Sequence, residues 1–116
     1  MQVLRSVIVM MFFCVTALAE GSFSGTTVVP AAGAGNTMTL SQPTNGNGGS
    51  TTAITLDISD ETKTYKRNID YTVSGLPGSS PVIEWLPGKR PAKDTKLTIA
   101  GDTAAQGSYA TSVTWS

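Results

Sequence analysis

Beyond residue 20, short runs of β-branched and aromatic residues at period two alternate with glycine- and proline-rich turns, and no run carries a sustained 3.6-residue apolar stripe. That alternation rules out a helical bundle more firmly than any other feature of the chain. The clearest run is Gly107–Ser116. There Tyr109, Thr111, Val113 and Trp115 fall on one face of an extended chain, and Ala110, Ser112 and Thr114 on the other.

Further strands are predicted at Thr37–Leu40, with Met38 and Leu40 inward, and at Thr51–Ser59, with Ile54, Leu56 and Ile58 inward. The run Tyr65–Ser74 places Tyr65, Arg67, Ile69, Tyr71 and Val73 on one face. Val82–Leu86 offers Ile83 and Trp85, and Thr95–Ala100 offers Leu97 and Ile99. Asn45-Gly46, Gly75-Leu76-Pro77-Gly78 and Pro87-Gly88-Lys89-Arg90-Pro91 mark the turns between them. The chain is therefore expected to be all-β, an immunoglobulin-like antiparallel β-sandwich of about six or seven short strands. The expected core is Leu40, Ile54, Leu56, Ile58, Ile69, Tyr71, Val73, Ile83, Trp85, Leu97, Ile99, Tyr109, Val113 and Trp115.

The N-terminal end reads differently. Arg5 is followed by the apolar run Val7–Val15 and then Ala17-Leu18-Ala19, the order of a cleavable signal peptide over residues 1–19. The apolar run is shorter than the ~20 residues a transmembrane helix needs, so no membrane span is expected after cleavage. Export places the protein in the secreted, extracellular or cell-surface compartment, by way of the periplasm if the source is Gram-negative. Residues 20–36 then read as a flexible arm, in which Phe23, Gly25, Thr27 and Val29 share one face until Pro30 ends the pattern. The sandwich is expected over residues 37–116.

Residue chemistry narrows function by exclusion. The sequence has no His, and its one Cys, Cys14, lies in the predicted signal. His-based acid–base work, Ser-His-Asp and Cys-His nucleophiles and the usual zinc sites are thereby excluded, and no disulfide is available. No P-loop or dinucleotide motif is present, no cofactor is expected, and the formal charge of zero gives no reason to expect a nucleic-acid partner. Asp57, Asp60 and Glu61 could offer oxygens to calcium, although a solvated strand end accounts for them equally. Lys89, Arg90, Lys93 and Lys96 could form a patch for an anionic ligand, or simply a solvated loop. Tyr65, Tyr71, Trp85 and Trp115 could stack on sugars if exposed, but strand spacing favours the core.

The motifs Val73-Ser74-Gly75-Leu76-Pro77, Leu97-Thr98-Ile99 and Ala104-Ala105-Gln106-Gly107-Ser108-Tyr109 resemble those of bacterial extracellular immunoglobulin-like modules. The resemblance spans residues 37–116 and implies a non-catalytic surface, spacer or adhesion module without transferable site residues. Its partner would be a protein or glycan at a cell surface. The closing Gly107-Ser108-Tyr109 strand and the alternating arm are also similar to chaperone–usher fimbrial subunits. That resemblance implies assembly with other copies by donor-strand exchange through residues 20–30.

Overall fold

The computed structural model describes residues 21–116, so the predicted signal segment lies outside the described residues. Two sheets pack face to face as a β-sandwich. The strands are β1 (Gly21–Val28), β2 (Thr37–Leu40), β3 (Asp57–Ser59), β4 (Thr64–Tyr65), β5 (Tyr71–Ser74), β6 (Val82–Trp85), β7 (Lys96–Thr103), β8 (Ser108–Ala110) and β9 (Val113–Trp115). The first sheet has the order β4-β3-β7-β1-β8, the second β5-β6-β2-β9. Every named pairing is antiparallel except β1 with β8, which is parallel.

The flexible-arm expectation does not match the position of β1. Residues 21–28 form an interior strand, registered to β7 from Gly21↔Thr103 to Val28↔Lys96 and to β8 from Ser22↔Ser108 to Ser24↔Ala110. Phe23 and Val29 are buried. The sandwich thus already includes residues 21–28, ahead of the expected start at 37. Burying two large side chains and pairing both edges outweighs the low apolar content that suggested mobility. Gly25 permits this placement: a Cβ there would lie 2.5 Å from the Thr111 carbonyl oxygen and 2.7 Å from Thr111 Cγ2.

Three predicted strands are interrupted, each for a local reason. In residues 51–59 only Asp57–Ser59 is a strand, because the buried parity slips from Thr51 and Ala53 to Leu56 and Ile58. At that slip the Thr55 carbonyl comes against Gly101, where a Cβ would overlap it, and the Thr55 hydroxyl accepts the Asp102 amide at 2.9 Å. Ile54 is consequently only half-buried.

The run from Tyr65 to Ser74 divides because the chain crosses between sheets at residues 66–70. Asn68 adopts φ 68°, the Asp70 carboxylate accepts the Lys66 amide at 2.8 Å, and the Asp70 amide returns to the Lys66 carbonyl at 2.8 Å. That turn sends Ile69 outward, 56 % exposed, against its expected inward place. The closing run also divides. Ser41 holds the switch between β8 and β9: Thr111 Oγ1 donates to the Ser41 carbonyl at 2.6 Å, and the Ser112 amide to Ser41 Oγ at 2.9 Å.

The core comprises Phe23, Val29, Met38, Leu40, Ala53, Leu56, Ile58, Tyr65, Tyr71, Ile83, Trp85, Leu97 and Ile99. Val73, Tyr109, Val113 and Trp115 pack against it while partly exposed. Among the described residues no helix is long and apolar enough to cross a membrane.

Candidate functional site

Of the predicted basic patch Lys89, Arg90, Lys93 and Lys96, the structure commits Arg90 to contacts within its own chain. Arg90 turns into the protein: Nε donates to the Gly35 carbonyl at 3.0 Å, and Nη2 to the carbonyls of Pro30 and Ala31, each at 3.0 Å. Its guanidinium also lies 5.2 Å from the Trp115 ring centroid. A planar fork with several donors suits three carbonyls of one loop in a way an ammonium does not. Arg90 therefore clasps the β1–β2 crossover to β9, while Lys89 and Lys93 stay exposed on their loop. Lys96 opens β7 and lines a groove with Thr26, Val28 and Glu61.

The predicted exchange residues face inward within their own chain. Phe23 and Val29 are buried, and Gly25 lies under Thr111. Thr27 Oγ1 accepts the Trp115 Nε1 hydrogen at 2.9 Å. Trp115 is thus held both to β1 and to Arg90.

The outward face of the first sheet is built of hydroxyls. Registers Ser59↔Thr64, Ser59↔Thr98 and Thr26↔Thr98 align Thr64, Ser59, Thr98 and Thr26 in one row across four strands. Neighbours in such a row stand about 4.8 Å apart. Beside it lies a groove of about 620 Å³, lined by the Asp60-Glu61 turn and by Thr26, Val28, Lys96 and Thr98. Val28 is 51 % exposed and gives the groove its apolar spot. A second hollow of about 410 Å³ shares Asp60, Glu61 and Lys96 and adds Asp94 and Thr95. Sequence reading missed this face because it followed the inward half of each alternation; the outward half carried the signal as recurring Ser and Thr.

The turn that lines the groove is held by Asp60. Its Oδ1 accepts the Thr62 and Lys63 amides at 2.7 and 2.9 Å and the Thr62 hydroxyl at 3.0 Å, while Oδ2 accepts the Tyr65 hydroxyl at 2.5 Å. The Tyr65 hydroxyl, then the Thr62 amide and the weaker donors, hold the Asp60 carboxyl down to about 2. Burial, reinforced by the bond to Asp60, pushes the Tyr65 phenol up to about 12. Asp60 spends its oxygens on its own turn, and among the described residues no group of three or more acidic, His or Cys side chains converges to hold a metal.

Beneath this turn Trp85 joins the two sheets. Its ring meets Tyr65 at 5.2 Å and 82° and Tyr71 at 5.6 Å and 70°, both edge-on. These aromatics are buried, which removes them as a sugar-stacking platform. Burial also raises the Tyr71 phenol, with the Asp57 charge adding to it. Trp85 Nε1 is a buried donor without a hydrogen-bond partner among the described residues.

Fold and surface together define the class as a two-sheet β-sandwich with a hydroxyl-lined outer face. Compared with known families, curated proteins and solved structures, the chain matches none.

Proposed function

We propose that this chain is a non-enzymatic module of the cell surface or extracellular space, with a structural or adhesive role and a surface protein or glycan as its partner. The observation that carries this reading is the hydroxyl row Thr64–Ser59–Thr98–Thr26 beside the groove at Val28, Glu61 and Lys96. Hydroxyls donate and accept without the desolvation cost of a charge, which suits sugar hydroxyls and peptide groups alike. Val28 adds an apolar contact, and Lys96 and Glu61 add charges to the lining. Thr98→Arg and Thr26→Arg fill the face without touching the core. Purified protein should bind cells or extracellular matrix, and both variants should lose binding while keeping the parent's thermal midpoint. Undiminished binding by both would overturn the role of this face, and hydrolytic activity in a substrate panel would overturn the non-enzymatic reading.

A second reading, a fimbrial subunit assembling by donor-strand exchange through residues 20–30, is favoured by the place of β1. This strand lies between β7 and β8, so β1 of another copy would meet the same register and the same seats for Phe23 and Val29. Thr26 and Thr98 are outward partners on β1 and β7, and cysteines at both positions lock the strand into its own chain. Exchange predicts that locking abolishes polymers and that reduction restores them. Polymers that form equally well from locked chains exclude it.

A further inference from the structure

The loop between β2 and β3 contains two Asn-Gly pairs, Asn45-Gly46 and Asn47-Gly48, and neither the core nor the outer face uses them. The loop is closed at its base by the Thr51 amide donating to the Pro43 carbonyl at 3.0 Å and by the bridge Thr44↔Ser50. Its tip is built around Asn45. The carboxamide oxygen of Asn45 accepts the amides of Asn47 and Gly49, each at 2.9 Å, and a Cβ on Gly49 would lie 2.9 Å from Asn45 Nδ2. Asn45 is thus oriented by two hydrogen bonds and packed on Gly49.

The Asn47 side chain is exposed and makes no hydrogen bond among the described residues. The amide nitrogen that follows it belongs to Gly48, at φ 84°, with open space where a side chain would stand. That nitrogen donates only a long bond, 3.3 Å, to the Asn45 carbonyl.

We propose that Asn47 is a site of spontaneous modification, converting to aspartate and isoaspartate. The Gly48 nitrogen attacks Cγ of Asn47, the new N–Cγ bond replaces the Cγ–Nδ2 bond, and ammonia leaves with the Gly48 amide proton. The resulting five-membered succinimide is opened by one water at either of its two carbonyls. No oxidant, reductant or other reactant is needed. A glycine in the following position supplies both the steric access and the backbone freedom for ring closure. Asparagine is a thermolabile residue, and it is most so where these two conditions meet.

The change reaches beyond the loop tip. One negative charge appears on a chain whose formal charge is zero. Isoaspartate also inserts a methylene into the backbone between residues 47 and 48, displacing Gly49 from Asn45. Thr44, at the base of the same loop, pairs with the edge strand β8: its amide donates to the Ala110 carbonyl at 3.0 Å, and the Ala110 amide donates to its carbonyl at 2.7 Å. Loosening the loop uncovers that edge.

The test is to age the purified full-length protein in mildly alkaline buffer and map the loop by mass spectrometry, with enzymatic methylation of isoaspartate as a second probe. Asn47 should lose ammonia roughly tenfold faster than Asn45, the factor for about 1.4 kcal/mol of orientational restraint from the two hydrogen bonds that hold the Asn45 side chain. Asn47→Gln, which closes a ring less readily, should keep its charge under the same treatment. Equal loss at both positions, loss at Asn45 alone, or no loss while an unfolded peptide of residues 43–51 reacts would each overturn the proposal. In the aged protein the Ala110 amide should lose hydrogen-exchange protection, and in Asn47→Gln it should not. Protection unchanged in chains shown to carry isoaspartate would overturn the link to β8.

Discussion

The guanidinium of Arg90 lies 5.2 Å from the ring centroid of Trp115, and the same side chain donates to three carbonyls of the crossover between the sheets. A residue read as available to ligands is therefore a tie between β9 and the start of β2. The tie matters because residues 29–36 contain only one short 3-10 turn, Ala32–Ala34, with no buried side chain of its own.

Arg90→Ala should cost about 2–3 kcal/mol, the combined effect of charge-assisted hydrogen bonds and a partly exposed cation–π contact. Arg90→Lys should recover less than half, because an ammonium cannot satisfy all three carbonyls and lie over the ring. Denaturant midpoints at unchanged slope check both. A Lys variant as stable as the parent would contradict the clasp.

The two tryptophans should respond in the reverse order of their burial. Trp115→Phe removes the bond to Thr27 and leaves that hydroxyl without its donor, at about 1–3 kcal/mol. Trp85→Phe loses ring volume but also removes the unpartnered buried Nε1, so the two terms offset and the net cost should stay below about 1.5 kcal/mol. Thermal or chemical denaturation of both variants decides the order.

Gly25→Ala should destabilise by about 1–3 kcal/mol through overpacking, since its Cβ meets backbone of Thr111 rather than a side chain that can swing aside. Gly46→Ala, at a loop position with nothing within 4 Å, should be close to neutral. A denaturation curve for each, read against the parent, checks the contrast.

The Asp60–Tyr65 pair gives stability two pH edges. The folded Tyr65 phenol titrates at about 12 against an ordinary 10.0, so its contribution is complete below pH 10 and is lost as the pH rises through 12. The folded Asp60 carboxyl titrates at about 2 against an ordinary 3.8, so its contribution is present above pH 3.8 and is lost as the pH falls through 2. Tyr65→Phe should flatten the alkaline edge and raise the Asp60 titration toward its ordinary value. Stability measured against pH, with NMR titration of Asp60, tests both signs.

Much of the architecture is legible in local pattern. Alternation at Leu97 and Ile99, at Ile83 and Trp85, and at Met38 and Leu40 marks the inward faces because side-chain direction reverses at every residue of a strand. Period two says nothing about which sheet a segment joins. It placed Ile69 on the same side as Tyr71, yet the turn around Asn68 and Asp70 falls between the two sheets and leaves Ile69 outside. It likewise read the closing run as one strand, while Ser41, far off in sequence, marks where that run changes sheets.

The candidate site divides in the same way. The sequence alone determined an all-β chain without histidine or a thiol beyond residue 14, because composition and short-range periodicity are properties of neighbours. Tertiary structure alone decided that residues 21–28 are an interior strand, that Arg90 points inward, and that Thr26, Ser59, Thr64 and Thr98 stand in one row. Those outcomes depend on register between strands tens of residues apart, and register is set by how both faces pack at once, which no local stretch contains.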